Sequence, residues 1–335
     1  MIANQAVVFT KPRKVVLQKR PQQKPGPGEL LIRTRKTLIS TGTELTILSG
    51  DFPKGSAWAG YGKYPFTAGY SNVGEVVGVG PGVDESWVGR RVASGGAHMA
   101  LVTKKKEEVY PIPDGVPDEQ AVFFSLAYIV MNGVRRSKAG WGDAVVLYGL
   151  GLLGQLAARF CALCGARPVI GVDVAQERIA MLPDMPFVTG LNAKKGNIKG
   201  SIEKLTNGRM ADIVFEITGS QDLITKEFEV LKPQGRFVLL SSPRGETQFD
   251  FHDFCNFPSY QIIGAHVCSH PEYETPDNPW TRARNVELFF KHIADEDIDI
   301  ASLITHQEPA TCAPEVFMDL LSDRSQAMGV ILDWK

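Results

Sequence analysis

Val145-Val146-Leu147-Tyr148-Gly149-Leu150-Gly151-Leu152-Leu153-Gly154 is the stretch whose reading decides the fold. Its first four residues are a short β-branched and aromatic run, the pattern of a buried strand. The next six fit G-x-G-x-x-G. Leu156, Ala157, Phe160, Cys161 and Leu163 then keep one apolar face at helical spacing, and Gly165 stops the helix. Val169-Ile170-Gly171-Val172 predicts a second strand that ends at Asp173, 19 positions beyond Gly154. Strand, glycine turn, helix, strand and acid in that order describe a dinucleotide-binding unit.

Each part has a physical task. The first glycine permits the tight turn, the second lets backbone approach a pyrophosphate, and the third lets the helix pack against the strand. Free N–H groups and the partial positive charge at the helix start favour phosphate. Asp173 can accept from both ribose hydroxyls and would repel a 2′-phosphate, so NAD is expected rather than NADP. Gly149, Gly151, Leu152, Leu153, Gly154 and Asp173 are the expected cofactor residues, joined by Thr218 and Ser241 after two later strands.

A chain of 335 residues, 44% of them hydrophobic, can bury a large core and predicts two domains. A net charge of −1 gives no reason to expect nucleic acid or an anionic membrane as partner. Met1-Ile2-Ala3-Asn4-Gln5 lacks the basic and apolar regions of a signal peptide, and no apolar run reaches spanning length. Five scattered cysteines suit a reducing cytoplasm better than a disulfide framework. Cys161 and Cys164 form C-x-x-C within the helix after the glycines, with no second pair to complete a metal site. Both are expected to pack toward the sheet.

Residues before Ala121 read as β-rich, with no convincing helix. Ala6–Phe9, Lys14–Leu17 and Glu29–Arg35 are predicted strands, the arginines of the last alternating outward. A glycine- and aromatic-rich loop over residues 50–66 is long enough to border a pocket. Gly69–Gly80 and Trp87–Ala100 continue the pattern, so a small closed or partly closed β-barrel is expected. From Asp118 helix and strand alternate. Ala121–Val134 is a predicted helix and Ala211–Ile217 a strand. Ser220 starts a helix bearing Leu223, Ile224, Phe228 and Leu231, and Arg236–Leu240 and Tyr260–Gly264 are the last strands. The expected fold class is α/β, a Rossmann doubly wound parallel sheet plus the β-barrel domain. After it, Val286, Phe289, Phe290 and Ile293 mark a helix, as do Val316, Phe317, Leu320 and Leu321, and Met328–Leu332 a strand.

This order of pieces resembles the medium-chain dehydrogenase/reductases, the superfamily of zinc alcohol and polyol dehydrogenases. Pro27-Gly28-Glu29-Leu30 resembles the family's P-G-E-V entry, Ala211–Gly219 its D-V-V-x-E-x-x-G strand, and Leu303-Ile304-Thr305-His306 its late L-I-T-H segment. The resemblance implies a GroES-like β domain interrupted by the nucleotide domain, with the active site in the cleft between them. The implied division is residues 1–119 for the first part of the GroES-like catalytic domain, 120–266 for the Rossmann domain and 267–335 for the return segment. A homodimer is expected through the edge at Tyr260–Gly264, as the family's last strand often pairs.

Departures from the pattern carry the chemistry. Zinc members have C-G-x-D where this chain has Thr41-Gly42-Thr43-Glu44, and G-H-E where it has Gly69-Tyr70-Ser71. The third ligand position falls on Ser125, and the four-cysteine structural zinc loop is absent. Hydroxyls are poor ligands for Zn²⁺ beside Cys, His and carboxylate, so no metal is expected. Ser40–Glu44 together with Pro65–Gly74 resembles a narrower, zinc-free branch containing the hydroxyethyl bacteriochlorophyllide dehydrogenases.

Without zinc, a side chain must take the hydroxyl proton or polarise the carbonyl. The resemblance puts Thr43 where zinc members keep a hydroxyl on the reacting oxygen, and Tyr70 where they keep a ligand histidine. Packing and turn roles compete with chemistry at both. Glu44 can anchor the loop or abstract a proton, and His98 can be structural or line the pocket. Thr43, Tyr70, Glu44 and His98 are the catalytic candidates. Lys63 and Tyr64 fall on a pocket rim, and His266, Cys268 and His270 lack a fourth ligand for metal. The expected activity is NAD-dependent, zinc-independent interconversion of a secondary alcohol (polyol, sugar or cyclitol-like) and its ketone. Alternatives are a quinone or enone reductase, a lyase or epimerase that oxidises transiently with retained NAD, and a non-enzymatic NAD-binding protein.

Overall fold

A computed structural model describes residues 4–21 and 24–334. Met1 to Ala3, read above for a leader, lie outside the described residues. The chain divides into two compact units, residues 1–126 with 286–335, and residues 127–285.

The second unit is built on six parallel strands. Their spatial order is Val188–Asn192, Val169–Asp173, Val145–Tyr148, Ala211–Glu216, Leu231–Leu239 and Gln261–Gly264. The third strand in chain order thus lies at one edge and the sixth at the other, with a reversal between the first and fourth. A doubly wound sheet takes its ligand at such a reversal, beyond the carboxyl ends of the strands. The central strands read as unbroken apolar runs because both faces are covered, and Val145, Val146 and Leu147 are fully buried. Helix Leu152–Leu163 lays Leu156, Ala157, Phe160 and Cys161 inward. On the other side Phe228 stacks on Phe237 at 3.9 Å between ring centres, amid Val146, Val214 and Ile224.

Three expectations change here. Leu231 does not belong to the helix after Ser220. That helix covers only Ile224–Glu227, and Leu231 starts a strand that runs through Pro233 and Gln234 to Leu239. Pro233 has no N–H to extend a helix, and Gln234 takes a left-handed conformation with φ 61°. Of the two cysteines, Cys161 is buried but Cys164 is exposed at the helix end, so they do not share the sheet-facing side. The division near 120 and 267 also moves. Residues 267–285 stay with the parallel-sheet unit, where Arg135 bonds Asn285 at 3.0 Å and stacks 3.2 Å from the Trp280 ring, and His270 meets Tyr128 edge-on.

The first unit holds two sheets. One has three antiparallel strands in the order Lys14–Lys19, Gln5–Lys11, Phe66–Thr67. The other runs Ile304–Pro309, Gly329–Asp333, Glu29–Leu38, Asn72–Val79, Arg91–Ser94, Val109–Pro111, with Leu101–Lys105 also paired to Glu29–Leu38. Strand alternation decides what is buried. Leu30, Ile32 and Thr34 face in, while Arg33 and Arg35 reach outward to Glu75 and Asp118. A second apolar cluster gathers Val7, Phe9, Leu45, Leu48, Phe317 and Leu332.

This unit contains helix where only strand and loop were expected. Thr43–Ser49 is a helix, and Ala57–Tyr61 is a short one inside the presumed loop. Thr43, Thr46 and Ile47 are β-branched and hide the first helix from a propensity reading. It forms because its Leu45, Ile47 and Leu48 are needed in the core, and Gly50 closes it in a left-handed conformation with φ 69°. The helix entering the parallel-sheet region is Phe124–Ser137, shifted from the expected Ala121–Val134.

Candidate active site

The candidate nucleotide site in the second unit is assembled by its first strand and the turn after it. Gly149 has φ 95°, which a side chain would make costly. A methyl on Gly154 would lie 2.0 Å from the Gly149 carbonyl oxygen, so the helix start can close on the turn only with glycine there. Gly151 is different: a methyl there would meet no protein atom within 4 Å. Its backbone therefore faces open space beside the N-terminus of Leu152–Leu163, the kind of cradle a phosphate fills. Leu152 is buried and Leu153 half-buried.

Asp173 closes the neighbouring strand. Its side chain is 5% exposed, and its two oxygens accept N–H bonds from Leu150 at 2.7 Å and Ala175 at 2.9 Å. It thus braces the glycine turn as well as offering acceptors, since each carboxylate oxygen has two lone-pair directions. Arg178 lies 3.9 Å away.

Glu216 was not among the expected site residues, although it closes the recognised fourth strand. It is fully buried and accepts from the Thr218 hydroxyl at 2.7 Å, the Gly219 N–H at 2.8 Å and the Ser241 hydroxyl. Thr218 and Ser241 are thereby brought together at one end of the parallel sheet. Glu227, 1% exposed, has no hydrogen-bond partner on either oxygen. Burial, and the nearby Glu216 charge, push its carboxyl up to about 9. Glu227 is therefore neutral at pH 7, beside a Glu216 that three donors hold as an acceptor.

The hydroxyl-rich cluster of candidate residues lies in the first unit. Thr43 opens its helix and is half-buried. Glu44 is buried, with one oxygen accepting the Ser40 N–H at 2.9 Å and the other 2.8 Å from His98 Nε2. His98 is fully buried, edge-on to Phe317, and its Nδ1 has no partner. Glu44 and His98 are thus brought to each other, in the interior, as an anchor for the loop. Tyr70 is half-buried and donates to Ser40 Oγ at 2.6 Å. Ser125 is fully buried with its hydroxyl unpartnered, an arrangement that costs about 1–3 kcal/mol unless something else meets it. Lys63 is exposed, and Tyr64 is tied by its hydroxyl to the Ile47 carbonyl.

The donor set bears on metal. At the three positions that the resemblance assigns to zinc ligands stand Thr41, Tyr70 and Ser125, all hydroxyls, a donor set that does not fit Zn²⁺. Among the described residues no group of three or more His, Cys, Asp or Glu could hold a metal ion. His266 Nδ1 meets Cys268 Sγ at 3.0 Å, but His270 turns its Nδ1 to the Val267 carbonyl at 2.9 Å. No helix among the described residues is long and apolar enough to cross a membrane.

Two family models match separate parts of the chain, the alcohol dehydrogenase GroES-like domain over residues 26–114 and the zinc-binding dehydrogenase model over residues 153–280. The chain is 29% identical to the D-guloside 3-dehydrogenase of Escherichia coli (strain K12), covering 84% of this chain and 80% of that protein. Its fold matches a "short chain alcohol dehydrogenase" from Escherichia coli CFT073 complexed with NADH, at TM-score 0.83 and 17% identity over 99% of this chain and all of that one. It also matches a dehydrogenase from Sinorhizobium meliloti 1021 bound to NADP, at TM-score 0.82 and 19% identity over 99% of this chain and all of that one. With a glycine turn at the reversal of a six-stranded parallel sheet, a second β unit either side of it in sequence, and both dehydrogenase family models matched in order, the chain is an oxidoreductase of the medium-chain dehydrogenase/reductase type.

Proposed function

We propose that this protein is an NAD-dependent, zinc-independent dehydrogenase that interconverts a secondary alcohol of polyol, sugar or cyclitol type and its ketone. The observation that carries the reading is the phenol of Tyr70, hydrogen-bonded to Ser40 at 2.6 Å, in the motif position of a zinc-ligating histidine. Bound NAD supplies the hydride acceptor. The chain's own task is then to bind the alcohol, orient it and handle its hydroxyl proton. Tyr70 and Thr43 supply hydroxyls that can accept from an alcohol or donate to a carbonyl oxygen, an acid–base contribution of about 10²–10⁴-fold. Glu44 and His98 work from the interior, holding Ser40 and the start of the Thr43 helix. A sugar-type alcohol is favoured by the hydroxyl-rich residues and by the guloside relative.

For the cofactor, the Asp173 carboxylate beside the glycine turn favours ribose hydroxyls over a 2′-phosphate. A second reading, NADP, draws on Arg178 at 3.9 Å from Asp173, a cation that can meet a 2′-phosphate. Replacing Asp173 by Ser should weaken NAD and narrow its advantage over NADP. Tighter binding of NADP than NAD by the wild type would favour the second reading.

Two measurements test the chemistry. Metal analysis should find no stoichiometric zinc, with activity surviving a strong chelator; one tightly held zinc per chain would overturn zinc independence. Tyr70→Phe should retain fold and NAD affinity while kcat/KM falls at least ~10-fold, about 1.4 kcal/mol of transition-state stabilisation. Unimpaired turnover would return Tyr70 to a packing role.

A further inference from the structure

Ser40 opens the Ser40–Glu44 segment but was not among the catalytic candidates drawn from it. Its surroundings do. The residue is 7% exposed, and its backbone is clasped in both directions by Glu44. The Ser40 N–H donates to Glu44 Oε1 at 2.9 Å, and the Glu44 N–H donates to the Ser40 carbonyl at 2.9 Å. Glu44 is itself immobilised, because its second oxygen meets His98 Nε2 at 2.8 Å. His98 in turn is fixed by backbone bonds to Ala68 and Val7, at 2.8 and 2.9 Å, and by the edge of Phe317. Gly69 makes room for it: a methyl there would come 2.4 Å from the His98 nitrogen.

The chain of support therefore runs from the core outward, through His98 and Glu44, and ends on the Ser40 backbone, which carries the hydroxyl. That hydroxyl accepts the phenolic proton of Tyr70 at 2.6 Å. A phenolic O–H lies near the ring plane and can point to either side, so an acceptor on an anchored backbone decides which. A hydroxyl that accepts also keeps a proton of its own to donate.

We propose that Ser40 is a positioning residue for the proposed reaction, orienting the Tyr70 phenol through the hydrogen bond its Oγ accepts, with Glu44 and His98 as the buried brace behind it. The proposal rests on the reading of Tyr70 given above. It makes Ser40 act only through Tyr70, so removing the Ser40 hydroxyl should remove part of the contribution that Tyr70→Phe removes whole.

The experiment is a double-mutant cycle on the secondary alcohol that the wild type oxidises with NAD, chosen from a panel of hexitols, aldoses and inositols. Ser40→Ala is expected to lower kcat by ~3–10-fold, the size of one hydrogen bond, with KM for NAD unchanged. The double variant Ser40→Ala/Tyr70→Phe should be no slower than Tyr70→Phe alone, and Ser40→Thr, which keeps a hydroxyl, should recover most of the rate. Ser40→Cys, close in volume but a weak acceptor, stands in if the alanine variant does not fold. Losses that multiply in the double variant, or wild-type kcat in a folded Ser40→Ala or Ser40→Cys protein, overturn the proposal while an impaired Tyr70→Phe leaves the Tyr70 reading standing. An unimpaired Tyr70→Phe, or a wild type that oxidises no alcohol in the panel with NAD, overturns that reading and this inference with it.

Discussion

Single residues in this protein hold or forgo charge for reasons the neighbours supply. Glu227 is the sharpest case, a carboxyl buried without partners and pushed up to about 9. Its effect on stability has a definite sign. Below the ordinary carboxylate range both folded and unfolded chains carry the proton, so nothing changes with pH. Between that range and about 9 the unfolded chain releases the proton and the folded chain keeps it. Stability must therefore fall as pH rises through this window, by at most about 1.4 kcal/mol per pH unit. Glu227→Gln removes the titration. Thermal unfolding of the two proteins at pH 5, 7 and 9 should show the variant's Tm rising steadily relative to wild type. A difference that stays constant with pH would refute the assignment. The same residue matters for the cofactor end of the sheet, since a second anion there would oppose Glu216, on which Thr218, Gly219 and Ser241 converge.

At the level of elements, the turn from the first parallel strand into its helix separates two kinds of glycine. Gly154 is needed by the fold, whereas Gly151 is left open by it, and its proposed role toward the cofactor can be measured. Gly154→Ala drives a methyl to 2.0 Å from the Gly149 oxygen, an overpacking of about 1–3 kcal/mol that should lower Tm by several degrees and disrupt NAD binding with it. Gly151→Ala meets no protein atom within 4 Å. Its Tm should match wild type while the Kd for NAD rises at least ~10-fold, because the added methyl occupies the space for the pyrophosphate. Calorimetric titration with NAD and a thermal melt decide it; unchanged affinity in Gly151→Ala would show that the loop does not cradle the cofactor. The helix Thr43–Ser49 makes the opposite point about legibility. Its β-branched sequence concealed it, and the packing of Leu45, Ile47 and Leu48 called it into being.

The whole molecule is built from two units, each with its own sheets and core. The parallel sheet ends on Gln261–Gly264, which pairs with Leu231–Leu239 on one side and has no partner strand on the other among the described residues, with Ile262 40% exposed. An open apolar edge is a template for pairing. We expect a homodimer joined there, with sedimentation giving twice the chain mass. Ile262→Lys should shift it toward monomer without loss of fold. A wild type that sediments as a monomer at micromolar concentration would exclude this assembly.

The nucleotide half was legible in the sequence because its determinants are local. A turn that needs left-handed backbone requires Gly149, a close helix approach requires Gly154, and an acid one strand over falls at a spacing set by one βαβ unit. Only the tertiary structure decided what each candidate touches. Glu44 and His98 lie 54 positions apart and became a buried pair, Ser40 and Tyr70 lie 30 apart and became a hydrogen-bonded one, and Glu227 became neutral by burial beside Glu216. Such pairings depend on strands brought together across the fold and on the water excluded around them, and neither is written in the spacing of a chain.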